Sequence, residues 1–285
     1  MDKEYVNTLV NEYLEARHKY LAPRSVEQYK QDILAFGKWA IDNDLDFLSI
    51  TKKHIHHWFD RLSVGPRMSN RKLSVVRTFF AFLNDYEYSD KSNPCENIKS
   101  LKIPKRFPRT LTASEIETIL QVASRYGEWL VVLIKLLYYT GMRVSEALSL
   151  QTSDFNFDRH ELRVIGKGNK ERIVAFGGNL NQILEPYFAT LTTKYLFLGE
   201  KDKSVKLNRV EYLFACLREK TGITIRPHIL RHTFATESVR AGTSLTGVKV
   251  LLGHENISAT EIYVHESSDI HEIYDKANKM RPNIL

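Results

Sequence analysis

The sequence predicts a mainly α fold with a small β-sheet, arranged as two domains. Three observations support this prediction. The 285 residues exceed one small module and suit two domains of roughly 100 to 200 residues each. Apolar residues recur at a helical period along most of the chain, whereas residues 155–176 alternate as strands do. Between the two domains, residues 99–110 contain two prolines and five basic residues and predict an extended linker.

Residues 1–98 are expected to form a domain of four helices. The first starts near the N-terminus, the second is capped by Ser25, the third follows Thr51, and the fourth runs from about Ser69 to Asp85. The longer helices carry apolar stripes that can pack in a shared core. These stripes include Tyr5, Leu9, Val10, Tyr13, Leu14, Tyr29, Ile33, Phe36, Trp39, Ala40, Val75, Val76, Phe79, Phe80 and Phe82.

Residues 111–285 are expected to combine helices with the small sheet. A helix through residues 129–139 is apolar almost all round and is therefore predicted to be central. The alternating segment, residues 155–176, contains a glycine-rich turn at residues 166–170, which predicts a hairpin. From about Leu207 onward the pattern is again helical.

Composition narrows the class of protein. Hydrophobic residues make up 43% of the chain, enough for a core without disulfides or a structural metal, and the two cysteines are too few for either. The N-terminus lacks the apolar stretch of a secretory signal, and the longest apolar run is about half of the ~20 residues that cross a bilayer. We therefore expect a cytoplasmic protein in a reducing compartment, with no membrane partner.

The positive charge is concentrated in the middle of the chain. The formal net charge is +7, and residues 61–110 hold 11 basic and 4 acidic residues. Such a segment favours phosphate contacts with a nucleic acid, although a solvated helix face and a soluble linker fit the charge about equally well. The candidate DNA-contacting residues are Arg67, Arg71, Lys72, Arg77, Lys105 and Arg106.

Two motifs of the second domain combine glycine with basic residues. Arg143 follows a Thr-Gly turn at a predicted helix start, and Glu146 on the same face can hold its guanidinium for a phosphate. An ordinary surface ion pair is the commoner meaning of this spacing. At the hairpin turn, Lys167 lies between two glycines and can donate a proton to a leaving oxygen, but exposed turn lysines are also common.

Two further motifs combine histidine with arginine or tyrosine. His228 and Arg231 are one helical turn apart, so their side chains project together. His254 follows a Leu-Gly pair, and Tyr263 comes nine residues later. Tyrosine attacks phosphorus when cations stabilise its phenolate. Taken singly, such residues are more often structural.

The ordered set of motifs resembles the tyrosine recombinase (phage integrase) family over essentially the whole chain. Within that family the length is most like that of the Xer recombinases. The resemblance implies an N-terminal helical, SAM-like core-binding domain over residues 1–98 and a basic linker over residues 99–110. It implies an α+β catalytic domain over residues 111–285, with a C-terminal exchange helix at about 269–281 that docks on a neighbouring subunit.

The resemblance also implies a role for each motif residue. Arg143 and Arg231 would clamp the scissile phosphate, with Glu146 supporting Arg143. His228 and His254 would be the hydrogen-bonding pair beside them, and His228 could also accept the tyrosine proton.

The chemistry of strand cleavage follows from the same resemblance. Lys167, rather than Lys170, would protonate the departing 5′-oxygen, and Tyr263 would be the nucleophile that forms a 3′-phosphotyrosine. The scheme implies no metal and no cofactor, and the sequence contains no HExxH, EF-hand or cysteine-cluster motif.

The function implied is site-specific recombination of duplex DNA through a Holliday junction, with chromosome dimer resolution as the Xer-type role in chromosome partition and cell division. The implied partners are double-stranded DNA with a specific recombination site, further copies of the chain (a dimer on one site and a tetramer in synapsis), and a DNA translocase or partner recombinase. The implied location is the nucleoid. Alternatives are a mobile-element integrase, a type IB topoisomerase-like enzyme and a non-catalytic DNA-binding protein.

Overall fold

The computed structural model describes residues 2–21, 23–104, 109–166, 170–253 and 270–278. The chain divides into two compact units, Met1–Arg106 and Phe107–Leu285. Within the described residues both units are built from helices, and the second contains a three-stranded sheet, which confirms the predicted fold class. None of the helices in these ranges is long and apolar enough to cross a membrane.

Unit 1 contains the helices predicted for it. They are α1 (Lys3–Arg17), α2 (Pro23–Asp42), α3 (Lys52–Asp60) and α4 (Pro66–Asp85). Two of them start earlier than expected, α2 before Ser25 and α4 before Ser69. Proline explains both shifts, because its fixed φ suits the first turn of a helix and it lacks the N–H that would have no partner there.

The core of unit 1 is aromatic. Tyr13 of α1 packs edge-on against Phe79 of α4, with ring centroids 5.6 Å apart, and Phe47 packs against the same ring at 5.2 Å. The Tyr13 hydroxyl keeps a polar partner, since it lies 2.8 Å from Thr78 Oγ1. The apolar stripes read from the sequence therefore meet in one cluster.

Unit 2 has the following described elements: α5 (Ala113–Ala123), α6 (Glu128–Thr140), α7 (Val144–Ser149), β1 (Phe155–Asn156), β2 (Glu161–Ile165), β3 (Glu171–Ala175), α8 (Asn179–Ala189), α9 (Leu207–Thr221), α10 (Pro227–Arg240), α11 (Leu245–Leu252) and α12 (Ile270–Asn278). The strands are antiparallel in the order β1-β2-β3, and Leu162 pairs with Val174. Helix α6 is buried almost all round, as predicted, and packs against α10.

A sharp turn at the end of α6 leads directly to Arg143 at the start of α7. Gly141 terminates the helix in the left-handed region, at φ 62°. A Cβ at this position would lie 2.4 Å from Cδ1 of Phe234, so only glycine fits between α6 and α10. The chain can therefore turn sharply and place Arg143 beside α10.

Helix α12 packs on its own unit. Tyr274 and Ala277 are buried in the main core of unit 2, against α10, α11 and β3. The sequence predicts an amphipathic helix that needs an apolar partner, and in this chain the partner is supplied in cis. Docking of this helix on a neighbouring subunit stays a proposal.

Candidate active site

A single buried carboxylate lies at the centre of the site. The Glu146 side chain is 3% exposed, and each of its oxygens accepts two hydrogen bonds. Oε1 accepts from Nη1 of Arg143 at 2.8 Å and from Nη1 of Arg172 at 3.1 Å. Oε2 accepts from the backbone N–H of Arg143 at 2.9 Å and from Nη2 of Arg172 at 2.8 Å. Glu146 therefore holds two arginines from different elements.

Local sequence explains one half of this arrangement. Arg143 is the N-cap of α7 and Glu146 is the third residue of that helix, so the carboxylate can reach back to the capping backbone N–H. Burial by itself would raise the pKa of Glu146. The hydrogen bonds and charge of Arg172, and the hydrogen bonds of Arg143, outweigh burial and hold that pKa below its ordinary value.

Arg231 reaches the same place from α10. Its side chain is buried, and Nη1 donates to the Gly141 carbonyl at 2.7 Å while Nη2 donates to the Leu252 carbonyl at 2.8 Å. These carbonyls lie at the C-terminal ends of α6 and α11, where helices leave acceptors without intrahelical partners and carry partial negative charge. One guanidinium therefore connects three helices.

Burial and neighbouring charges both act on Arg231. Burial and the charge of Arg143 lower the pKa of Arg231 to about 10; Glu146 opposes this shift and Arg172 adds to it. The guanidinium groups of Arg143 and Arg172 bind Glu146, and that of Arg231 interacts with the same carboxylate through its charge. Arg231 has five N–H donors and uses two on the helix carbonyls, so three are left for another acceptor. Arg143 is one-third exposed and can also donate to a ligand.

Histidines lie beside Arg231 on α10. His228 is exposed in the first turn of the helix, one turn before Arg231, as the spacing predicts. His232 follows Arg231 in the sequence and is exposed, as His228 is. Burial, together with the charges of His228 and Arg231, lowers the pKa of His232.

Three of the predicted catalytic residues lie outside the described residues: Lys167, His254 and Tyr263. Their immediate neighbours are described. Gly166 donates its backbone N–H to the Lys170 carbonyl at 2.8 Å and closes the base of the hairpin. Gly253 ends α11 with φ 62°, directly before His254.

Comparison with known proteins identifies the family. Residues 109–269 match the model of the phage integrase family, and residues 10–86 match that of the phage integrase N-terminal SAM-like domain. The chain belongs to the phage integrase family. It is a tyrosine site-specific recombinase, as the order of its motifs implied.

Similar proteins match this recombinase over most of its length. A tyrosine recombinase of Pseudothermotoga lettingae is 33% identical, over 91% of this chain and 93% of that protein. Tyrosine recombinase XerC of Leptospira interrogans is 31% identical, over 97% of this chain and 92% of that protein. The fold is similar to that of lambda integrase in a dimer bound to a COC′ core site, with a TM-score of 0.72, 18% identity, and coverage of 88% of this chain and 95% of that one.

Sequence reasoning missed Arg172 of this recombinase. A signal for it exists in the strand pattern. Arg172 pairs with Val164 across the sheet and alternates with Val174, and both valines are buried. An arginine on the buried face of a strand must be paired with a negative group, and the one it meets is Glu146.

Three of the six basic residues predicted to contact DNA have partners within unit 1 of the recombinase. Asp32 is 2% exposed and binds both Arg71 Nη1 at 2.6 Å and Lys72 Nζ at 2.9 Å. Arg77 donates to backbone carbonyls at the end of the unit, including that of Ile98 at 2.9 Å. Arg67 is exposed at the start of α4, and Lys105 and Arg106 lie outside the described residues. Contact of these residues with DNA stays a prediction.

No cluster of three or more histidine, cysteine or acidic side chains suited to a metal ion occurs among the residues that the structure describes.

Proposed function

We propose that this recombinase cleaves and rejoins duplex DNA at the site around Glu146, through a covalent 3′-phosphotyrosine on Tyr263. One observation carries the proposal: the guanidinium groups of Arg143 and Arg172 bind one buried carboxylate, and that of Arg231 is near enough to interact with it electrostatically. This cluster keeps an excess of positive charge in a partly desolvated place. A phosphodiester is the natural ligand of such a site.

Arg143 and Arg231 are the proposed phosphate clamp. Both retain N–H donors after their contacts with the protein, and both are held in fixed orientations, Arg143 by Glu146 and Arg231 by helix carbonyls. When a phenolate adds to a phosphodiester, its charge joins that of the phosphate on the equatorial oxygens. Donors that are fixed before the reaction stabilise this added charge without reorganisation.

Proton transfers complete the scheme. The Tyr263 hydroxyl would give its proton to His228 while its oxygen forms the bond to phosphorus. The bond from phosphorus to the 5′-oxygen breaks, and Lys167 would protonate that oxygen as it leaves. Reversal with a different 5′-hydroxyl restores the DNA backbone and frees the tyrosine. His254 would hydrogen-bond the phosphate beside the arginines.

The relatives suggest the biological setting. Tyrosine recombinase XerC of Leptospira interrogans aligns with 97% of this chain. We therefore assign an Xer-type role, the resolution of chromosome dimers at one specific site. The assembly proposed is a dimer on each site and a tetramer in synapsis, with a partner recombinase or a DNA translocase as further components. Residues 1–98 would bind the core site, and residues 111–285 would carry the chemistry.

Mapping of covalent adducts in the cell tests the proposal. DNA that remains attached to the protein after denaturation is purified and sequenced, with Tyr263→Phe as the control. We expect adducts at a single chromosomal locus that disappear in the control. Adducts scattered over the genome would contradict a site-specific role, and adducts that persist in the control would contradict the nucleophile.

A further inference from the structure

Arg172 is the guanidinium for which the proposed chemistry has no role. It comes from β3, whereas Arg143 precedes α7 and Arg231 belongs to α10. Nη1 and Nη2 are both bound to Glu146, in a two-point pair with distances of 3.1 and 2.8 Å. The side chain is 17% exposed. Because both terminal nitrogens of Arg172 bind the buried carboxylate in a fork, the two side chains hold each other in one fixed arrangement.

The Glu146–Arg172 pair touches the backbone at two glycines. A Cβ at Gly166 would lie 3.4 Å from Arg172 Nη1 and 3.4 Å from Glu146 Oε1. A Cβ at Gly253 would lie 2.7 Å from Arg172 Nε. Gly166 therefore lies against both members of the pair and Gly253 against Arg172, so the pair borders the backbone where the chain leaves β2 and where it leaves α11. Gly166 directly precedes Lys167 in the sequence.

We infer that Arg172 is a positioning residue for Lys167: by bonding to Glu146 it holds the Gly166 end of the hairpin against α7. The inference rests on the proposed function in one respect, the role of Lys167 as the acid that protonates the leaving oxygen. Loss of the two-point pair frees the hairpin base, and a displacement of about 1 Å at a proton donor can cost roughly 100-fold in rate. Lysine at position 172 cannot replace the pair, because an ammonium group offers no planar fork.

A substrate that needs no proton donor isolates this effect. Replacement of the scissile 5′-oxygen by sulfur leaves the rest of the phosphodiester unchanged. The phenolate still bonds to phosphorus, but the departing group leaves as a thiolate and requires no proton, because thiols are far stronger acids than alcohols. A defect in proton donation is therefore repaired by sulfur, whereas a defect in the phosphate clamp or the nucleophile is not.

The experiment compares covalent-complex formation on nicked duplexes that carry oxygen or sulfur at the scissile position. The variants are Arg172→Gln and Arg172→Lys, each first shown to be folded by its thermal unfolding. Arg163→Gln is the matched control, because Arg163 lies on the neighbouring strand β2 and pairs with Asp154 on the other face of the sheet. We expect both Arg172 variants to lose about 100-fold on oxygen and to recover to within about tenfold of the unaltered protein on sulfur.

Two results would overturn the inference. One is an equal loss on both substrates, which would place the defect in the clamp. The other is normal cleavage of the oxygen substrate. If Arg172→Gln unfolds, Arg172→Lys decides between these results.

Lys167→Ala separates this inference from the proposed function. If sulfur fails to restore Lys167→Ala, the role of Lys167 as the acid is wrong, whatever the Arg172 variants do. If sulfur restores Lys167→Ala but not the Arg172 variants, the proposed acid stands and the positioning role of Arg172 fails.

Discussion

Arg231 Nη1 donates a 2.7 Å hydrogen bond to the carbonyl oxygen of Gly141, ninety residues earlier in the chain. Gly141 ends α6 two residues before Arg143, so this bond ties the two arginines of the proposed clamp together through one turn of backbone. The turn exists because Gly141 has φ 62° and no side chain against Phe234. The geometry of the proposed clamp therefore depends on the glycine at the end of α6.

Gly141→Ala should destabilise the protein and misplace the clamp. The new methyl group would lie 2.4 Å from Cδ1 of Phe234, so the phenyl ring would have to move. Such a shift in a packed core costs roughly 1–3 kcal/mol. Gly222→Ala is the matched control, because Gly222 also ends a helix in the left-handed region, at φ 69°, with nothing within 4 Å of an added Cβ. The control reports the backbone strain alone, about 1–2 kcal/mol. Urea unfolding should show a larger loss for Gly141→Ala; equal losses would mean that Phe234 moves aside freely.

Because of Glu146, the free energy of unfolding should depend on pH in the acid range. Its pKa lies below the ordinary value in the folded protein, so its ionised form stabilises the fold at neutral pH, and that contribution is lost as the pH falls from about 4.5 through the folded pKa. Glu146→Gln should cost about 3 kcal/mol at neutral pH, because two guanidinium groups lose their charged partner. The free energy of unfolding of the variant should then fall less steeply below about pH 4.5 than that of the unaltered protein. Parallel slopes would show that the pKa of Glu146 is the same in the folded and the unfolded protein.

Tyr263→Phe should abolish the covalent complex on a nicked suicide substrate while leaving DNA binding intact, because only the attacking oxygen is removed. Tyr274→Phe is the control, since Tyr274 is 3% exposed in the core of unit 2 and is not a candidate nucleophile. Complexes are detected as protein that stays attached to labelled DNA in denaturing gels. A complex formed by Tyr263→Phe would refute the assignment.

What the sequence could predict depended on how far apart the interacting residues are. Arg143 and Glu146 are three residues apart and Arg231 lies in a compact motif, so their places followed from helical spacing. Arg172 was missed because its partner is 26 residues away and is brought near by the register of β3 against β2. Long-range contacts of this kind leave no local pattern except a charged residue on a buried face.

A long-range contact also explains why the partner of the basic residues on α4 was not predicted. Arg71 and Lys72 look like free cations in the sequence, but Asp32 of α2, about forty residues earlier, is buried between them. The burial of Asp32 depends on the packing of α2 against α4, which no local pattern in the sequence shows. The helix period was right, and the partner of the basic residues was not foreseen.

Arg67→Gln should therefore test DNA affinity more cleanly than variants of Arg71 or Lys72. Arg67 is exposed, so its loss should flatten the slope of log affinity against log salt by about 0.9 without changing stability. The double variant Arg71→Gln/Lys72→Gln should also lose about 3–5 kcal/mol, because Asp32 would be buried without a partner. Filter binding across a salt series and urea unfolding measure the two effects. An unchanged slope for Arg67→Gln would mean that this side chain faces solvent in the complex.

Helix α12 packs on its own unit, against α10, α11 and β3. Its apolar face, with Tyr274 and Ala277, is covered in cis, and a Cβ at Gly247 of α11 would lie 3.2 Å from Cγ2 of Ile273. Cysteines at positions 247 and 273 are therefore close enough for a disulfide. The pair is introduced into a protein that carries Cys216→Ser, so that the partly exposed Cys216 cannot form other disulfides. Cys95 is buried and is left in place.

Oxidation of Gly247→Cys/Ile273→Cys should lock α12 on its own unit. If synapsis requires this helix to dock on a neighbouring subunit, the oxidised protein should bind a single site and lose recombination between two sites, and a reductant should restore it. Because the same molecules are assayed before and after reduction, a general effect of the substitutions is separated from the effect of the lock. If the oxidised protein recombines two sites as fast as the same protein does after reduction of the disulfide, α12 stays in cis throughout the reaction. In that case the buried Tyr274 would serve only the core of its own unit, and coupling between subunits would have to run through another surface.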